Sequence, residues 1–202
     1  MIVKLQIKTA VEIQNKHKDA RREALGAGDK QKFAQACSEM MKQLGKSKNG
    51  ITLAVLDILS IEPELYEKTS SSIKDQPERQ EEMKKTASEI EVTERTKCMG
   101  DDYEPLDKET ALERIKAVEE KKAEHMVGII IASKMGQFPP NQMAMGQEMA
   151  KIQAIDQVNK TTGLEESDIV IAFNKYNLGE DPAFHEILKG AQGKLNAKLM
   201  EA

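Results

Sequence analysis

The stretch Asp181–Leu199, DPAFHEILKGAQGKLNAKL, decides the fold class because it carries a complete helix signal. Asp181 is a favoured N-cap residue, and Pro182 suits the first helical position, where its missing N–H needs no partner. Apolar residues then recur every three or four positions: Phe184, Ile187, Leu188, Ala191, Leu195 and Leu199. Such spacing places them on one side of a helix, so an amphipathic helix with one packed face is predicted.

Similar helical patterns recur along the whole chain. The apolar face that begins at Phe33 predicts a helix ending at Gly45, a plausible C′ residue. The next segment, GITLAVLDILSI (50–61), is apolar on nearly every side and predicts a separate, buried core helix, with a strand as the alternative. Thr162 and Glu165 have the spacing of a capping box. The predicted fold is all-α, with eight or so helices arranged as successive helical hairpins.

A boundary between two halves is predicted at GDDYEP (100–105), where Gly, Pro and acidic residues interrupt the helical pattern. The expected organisation is an N-terminal helical region, 1–99, and a C-terminal helical region, 100–202. A chain of 202 residues can form one domain or two small domains. The two helical halves are expected to pack against each other.

Composition argues against several classes of protein. The only cysteines, Cys37 and Cys98, give neither a disulfide framework nor a metal-ligand spacing, which favours a reducing, cytoplasmic compartment. Lys4 and Lys8 lie where a signal peptide has its apolar core. The best apolar run, Met126–Ala132, is far shorter than the roughly 18 residues of a membrane span. No membrane partner is expected.

Motifs for chemistry are missing from the sequence. Phosphate-binding loops and nucleophile elbows do not occur, and no window has the ligand spacing of an EF-hand loop. His125 lacks the Glu three residues earlier that carboxylate-bridged metal sites need, and Asp181 with His185 makes only a weak metal pair. We therefore predict neither cofactor nor metal nor catalysis. If the protein is an enzyme after all, Glu124 and His125 are the first residues to mutate.

Charge is unevenly distributed along the chain. Residues 1–50 carry a net charge of +6, whereas the whole chain carries −4, so that residues 51–202 carry −10. The basic segment KHKDARR (16–22) supplies the candidate interaction residues Lys16, Lys18, Arg21 and Arg22. Nucleic acid is an unfavourable partner, because Phe33 is the only aromatic residue in the basic region and lies on the apolar face.

Methionines crowd the segment from Lys134 to Gln153, KMGQFPPNQMAMGQEMAKIQ. Met145, Met149 and Ile152 follow helical spacing and are predicted to be core residues. The side chains outside that stripe are predicted to form an exposed apolar patch for a protein partner: Met135, Phe138 and Met143.

These features predict a non-catalytic helical protein that binds other proteins, as a structural or scaffold component. A sharper hypothesis is self-association, in which basic N-terminal helices of one copy meet the acidic remainder of another in a heterologous ring or filament. The alternative function is a regulatory module of calcium-sensor descent, with degenerate EF-hand-like loops, that binds target helices.

Overall fold

Eight α-helices account for nearly all of the chain in a computed structural model, which describes residues 1–73, 75–136 and 142–201. Those ranges contain no β-strand, so the prediction of an all-α fold is confirmed. The helices are α1 (Ile2–Gly26), α2 (Lys30–Ile58), α3 (Pro63–Ile73), α4 (Pro77–Met99), α5 (Lys108–Lys134), α6 (Met143–Thr162), α7 (Glu166–Lys175) and α8 (Pro182–Glu201).

Helices α1 and α2 end in the same way, through a residue with left-handed backbone. Gly28 has φ 71°, and the amide of the next residue donates to the Ala24 carbonyl at 2.9 Å. Ser60 has φ 54°, and the Ile61 amide donates to the Leu56 carbonyl at 2.8 Å. Both sets of bonds satisfy carbonyl groups that the helix leaves without partners.

The predicted end of a helix at Gly45 is wrong. Helix α2 continues through Gly45 and Gly50 to Ile58, and neither glycine has the positive φ that a left-handed C′ residue requires. Each glycine weakens a helix by roughly 1 kcal/mol relative to alanine. Packing outweighs that cost here, since Met40 and Val55, on either side of the glycines, are both buried. GITLAVLDILSI therefore forms the end of α2 and the turn after it.

The chain divides into two compact units. Unit 1 comprises residues 1–18 and 38–103, and unit 2 comprises residues 19–37 and 104–202. The division at Tyr103 and Glu104 falls inside the GDDYEP segment where a boundary is predicted. Residues 19–37, at the α1–α2 turn, belong to unit 2. The predicted regions differ here, because they place these residues in the N-terminal region, 1–99.

Unit 2 is built around α5, which packs against both α6 and α8. A buried cluster joins α5 and α6 to the loop that follows: Val118, Ala154, Ile155, Val158 and Leu164. On α8, Ala191 is buried and Leu195 is half-buried, as the sequence predicts, although Leu188 is exposed. Asp181 caps α8 by accepting a hydrogen bond from the Ala183 amide at 2.7 Å.

The start of α7 differs from the predicted capping box. Thr162 belongs to the end of α6, where its hydroxyl donates to the Val158 carbonyl at 2.9 Å. Glu165 occupies the N-cap position, and its backbone amide donates to the Asp168 carboxylate at 2.7 Å. The acid that completes the cap is thus Asp168, three residues after Glu165, as capping-box geometry requires.

Candidate functional site

The end of unit 1 exposes apolar side chains of α2 and α3. Helix α3 has no buried residue, and its Leu65 is 58% exposed. We define the α2–α3 patch as the exposed large apolar residues at this corner: Leu53, Ile58, Leu59, Leu65 and Tyr66. These five exposed apolar residues lie within fourteen consecutive positions of the chain, 53–66. Exposed apolar residues that form a contiguous patch commonly mark protein contacts, whereas single ones are normal on any surface.

The start of α1 lies at the same end of unit 1. The Gln6 side chain donates to the Lys48 carbonyl at 3.2 Å and lies 3.0 Å from the Thr52 hydroxyl, so α1 begins beside the last turns of α2. Val3 and Leu5 are exposed there. Exposed apolar residues of α1 and of α2 therefore lie at the same end of unit 1.

The charges at this end divide between the helices. Lys4 and Lys8 are exposed at the start of α1, and the Lys4 ammonium pairs with Glu94 at 3.2 Å. Four exposed carboxylates surround the α2–α3 corner, against one ammonium group at Lys68: Asp57, Glu62, Glu64 and Glu67. The rim of this end thus carries basic charge on α1 and acidic charge around the α2–α3 patch.

The sequence signal for the patch lies in α3 itself. The segment PELYEKTSSSI carries only three large apolar residues and a run of three serines, which is too little to anchor a helix by burial. The interaction residues predicted from the sequence do not include Leu65 and Tyr66. The patch is indicated by two neighbouring segments. The first is the apolar run GITLAVLDILSI, and the second is a helix with too few apolar residues to be buried.

The predicted methionine patch is only partly described by the structure. Met135 follows α5 and is 65% exposed, whereas Met143 is half-buried at the start of α6. Phe138 lies outside the described residues. Among the predicted core residues Ile152 is buried and Met149 half-buried, but Met145 is exposed, so its assignment to the core is wrong. The helical register of α6 turns Met145 away from the buried Gly146 and Ala150.

The four basic candidates lie in different surroundings. Lys16 is exposed and Lys18 half-buried on α1 of unit 1. In unit 2, Arg21 is buried, with its Nε 3.0 Å from Asp156 Oδ2. Arg22 donates to Asp156 at 3.2 Å and to Glu165 at 2.8 Å. Both guanidinium groups are therefore engaged inside unit 2, and this part of the predicted basic surface is not open to a partner.

Asp156 is the centre of this charged cluster, and its carboxylate is fully buried. Burial alone lowers the pKa of Arg22, but its hydrogen bonds and charge interactions with Glu165 and Asp156 act oppositely and raise that pKa above its usual value. Asp156 thus accepts from two cations held by α1. This arrangement holds the α1–α2 turn region and α6 together within unit 2.

The thiol of Cys37 lies close enough to this cluster to be affected by its charges. Cys37 is fully buried, and burial raises the pKa of its thiol to about 12, with Arg21 lowering and Asp156 raising it further. Reactivity requires the thiolate and access to solvent. Cys37 therefore has a packing role in the core of unit 2.

Thiol labelling tests this assignment. In the native protein at neutral pH, we expect half-buried Cys98 to react with a soluble disulfide reagent at least about 100-fold faster than Cys37, which needs local unfolding first. Mass spectrometry after timed labelling gives both rates. The Cys98→Ser variant should show only the slow reaction. Equal rates for the two thiols in folded protein would contradict the burial of Cys37.

The acid–histidine pairs do not form a metal centre in the described residues. His125 Nε2 lies 3.1 Å from Gln157 Oε1, and Asp181 is occupied by Lys108 and the Ala183 amide. No group of three or more His, Cys, Asp or Glu side chains that could hold a metal ion occurs in the part of the chain that the structure describes. None of the helices within those ranges is both long and apolar enough to cross a bilayer.

Comparisons with protein families, with curated proteins and with solved structures found no match to this chain.

Proposed function

We propose that the protein is a non-catalytic helical interaction protein, a structural or scaffold component, whose unit 1 binds a second copy of the same chain through the α2–α3 patch. The observation that carries the proposal is the exposure of that patch, because α3 buries none of its own side chains. Covering apolar surface gains roughly 25 cal/mol per Å² before the costs of association.

A second copy fits this end because the end is complementary to itself in charge. The basic start of α1, where Lys8 is exposed and Lys4 pairs with Glu94, lies at the same end as the acidic rim around Glu62 and Glu64. A two-fold axis would bring the basic side of each copy to the acidic side of the other, giving a closed isologous dimer. This replaces the heterologous filament expected from the sequence, which needs complementary surfaces at different places on the molecule.

Sedimentation velocity over a range of protein concentrations tests the dimer. We expect the wild-type chain to form a dimer that weakens as salt is raised, because exposed charges are screened within about 8 Å at physiological ionic strength. Placing two carboxylates in the apolar contact, with Leu59→Glu and Leu65→Glu together, should raise the dissociation constant by at least roughly 100-fold, since each charge must lose its water.

The matched control is Met200→Glu, which adds a carboxylate at a residue of α8 that is 88% exposed and far along the sequence from the patch. This variant should dimerise like wild type, and circular dichroism should show equal helix content in all three proteins. A wild-type monomer at every concentration, or a dimer that survives both patch substitutions, would overturn the proposal. A dimer weakened by Met200→Glu alone would place the contact on unit 2.

The proposal includes a cytoplasmic location and no cofactor. Two separate cysteines, one of them fully buried, suit a reducing compartment.

A further inference from the structure

Unit 2 contains a cavity of about 400 Å³. It lies between the α1–α2 turn, α5 and α6, away from the α2–α3 patch, which belongs to unit 1. Its apolar wall includes Leu25, Phe33, Ile129 and Met149. The volume falls within the range of roughly 300–1,000 Å³ that small-molecule sites occupy, and a mostly apolar lining is typical of such sites.

The cavity is not filled by side chains, because α2, α5 and α6 have small residues where they line it. Gly128 of α5 and Gly146 of α6 both line the cavity, as do Ala34 and Ala150. Apart from its two chain neighbours and the nearby backbone of α5, no heavy atom of the described residues lies within 4 Å of a Cβ atom added at Gly128. Glycine in the middle of a helix weakens it by roughly 0.5–1 kcal/mol relative to alanine, so the space is kept at a cost to the helix.

Two polar side chains of the wall determine which ligand fits. His125 and Gln153 line the cavity on α5 and α6. Burial lowers the pKa of His125, against the opposing effects of its hydrogen bond with Gln157 and of the Glu124 charge, so the ring is neutral at neutral pH. With Nε2 as the donor to Gln157, the neutral ring keeps Nδ1 as a hydrogen-bond acceptor.

The charged residues at the cavity provide no net charge for an ion. Asp29 and Lys30 both line it, one of each sign. The Asp29 carboxylate accepts a hydrogen bond from the Lys32 amide at 3.0 Å and also pairs with the Lys32 ammonium. Of these two lining residues Lys30 is exposed, so its ammonium keeps its own water and gives an anionic ligand little in return for the hydration that the ligand loses.

We propose that this cavity binds a neutral, mainly apolar small molecule carrying a single hydroxyl or N–H donor. The apolar part occupies the space beside Gly128 and Phe33, and the donor group bonds to His125 or Gln153. The site lies within one copy of unit 2, so its occupancy does not depend on the dimer proposed above.

Fluorescence titration with N-phenyl-1-naphthylamine, a neutral apolar amine, provides the first test. We expect saturable binding at one site per chain. Gly128→Leu places an isobutyl group in the cavity and should weaken binding at least about tenfold. Gly128→Ala, which adds a single methyl group, should weaken it by less and serves if the leucine variant does not fold. The matched control is Gly50→Leu, another helical glycine with open space around it but in unit 1, and should bind like wild type.

Competition identifies the chemistry of the ligand. Octan-1-ol should displace the probe at concentrations at least about tenfold lower than octanoate, because the carboxylate must be desolvated. The variant with Leu59→Glu and Leu65→Glu should keep full probe binding, which separates this site from the apolar patch of unit 1. Probe binding that is unchanged in both Gly128 variants, or displacement by octanoate more readily than by octanol, would overturn the inference.

Discussion

Replacing Asp156 with alanine should lower the free energy of unfolding by about 3–5 kcal/mol, because it removes the counter-charge of a buried cation. Asp156 is fully buried and accepts from Arg21 and Arg22, and the Arg21 side chain is only 8% exposed. With the carboxylate gone, the largely buried Arg21 guanidinium loses the hydrogen bonds and the counter-charge that Asp156 provides. Even after the surroundings relax, an uncompensated buried charge still costs several kcal/mol.

Urea unfolding followed by circular dichroism measures this loss. The matched control is Glu120→Ala, which removes a carboxylate that pairs with Lys194 at 2.7 Å near the surface of the same unit. Because that pair is partly exposed, its loss should cost no more than about 1 kcal/mol. Equal destabilisation by the two substitutions would contradict the burial of the Asp156 cluster.

A double variant separates the contribution of the ion pair from the cost of breaking it. Arg21→Met with Asp156→Leu replaces both charges by apolar groups of comparable size. Buried ion pairs replaced in this way are often as stable as the original. We therefore expect the double variant to unfold at higher urea than Asp156→Ala, although it has lost the same carboxylate. A double variant as unstable as the sum of its parts would mean that the two side chains act independently.

Local signals in the sequence were enough to predict most helices. Asp181 and Pro182 start α8 as predicted, and the apolar stripe through Ala191 faces the rest of unit 2. Capping groups and apolar spacing act within a few residues, so the sequence displays them directly. The division between the two compact units at Tyr103 lies in the segment where the helical pattern is interrupted.

Pairing between distant residues could not be predicted in the same way. Arg21 and Arg22 look like members of a solvated basic helix, because their acidic partner Asp156 lies 135 positions further along the chain than Arg21. Apolar content was equally misleading at the end of α2, where Leu53 and Ile58 are exposed although the whole segment reads as buried. Whether an apolar segment is covered depends on what packs over it, and no element in the described part of unit 1 buries these two side chains.

Leu164 shows how a core residue escapes notice when it lies outside a helix. It follows Gly163, whose φ of 71° ends α6 in a left-handed turn, and precedes the N-cap residue of α7. Helical spacing does not include it, yet it is 1% exposed and packs in the buried cluster with Val118 and Ile155. Its backbone is fixed as well, since the Asn159 amide group donates to the Leu164 carbonyl at 2.9 Å.

Leu164→Ala should therefore destabilise the protein by about 2–5 kcal/mol, the range for removing a large buried side chain and leaving a cavity. The turn holds its backbone in place, so neighbouring groups have little freedom to close the space. Leu188→Ala is the matched control, because that leucine of α8 is 37% exposed and should cost about 1 kcal/mol or less. Urea unfolding gives the free energy of unfolding of both variants. A larger loss for Leu164→Ala would show that this loop residue is part of the core and does more than connect two helices. If the two leucines proved equally dispensable, the cluster would be held by α5 and α6 alone.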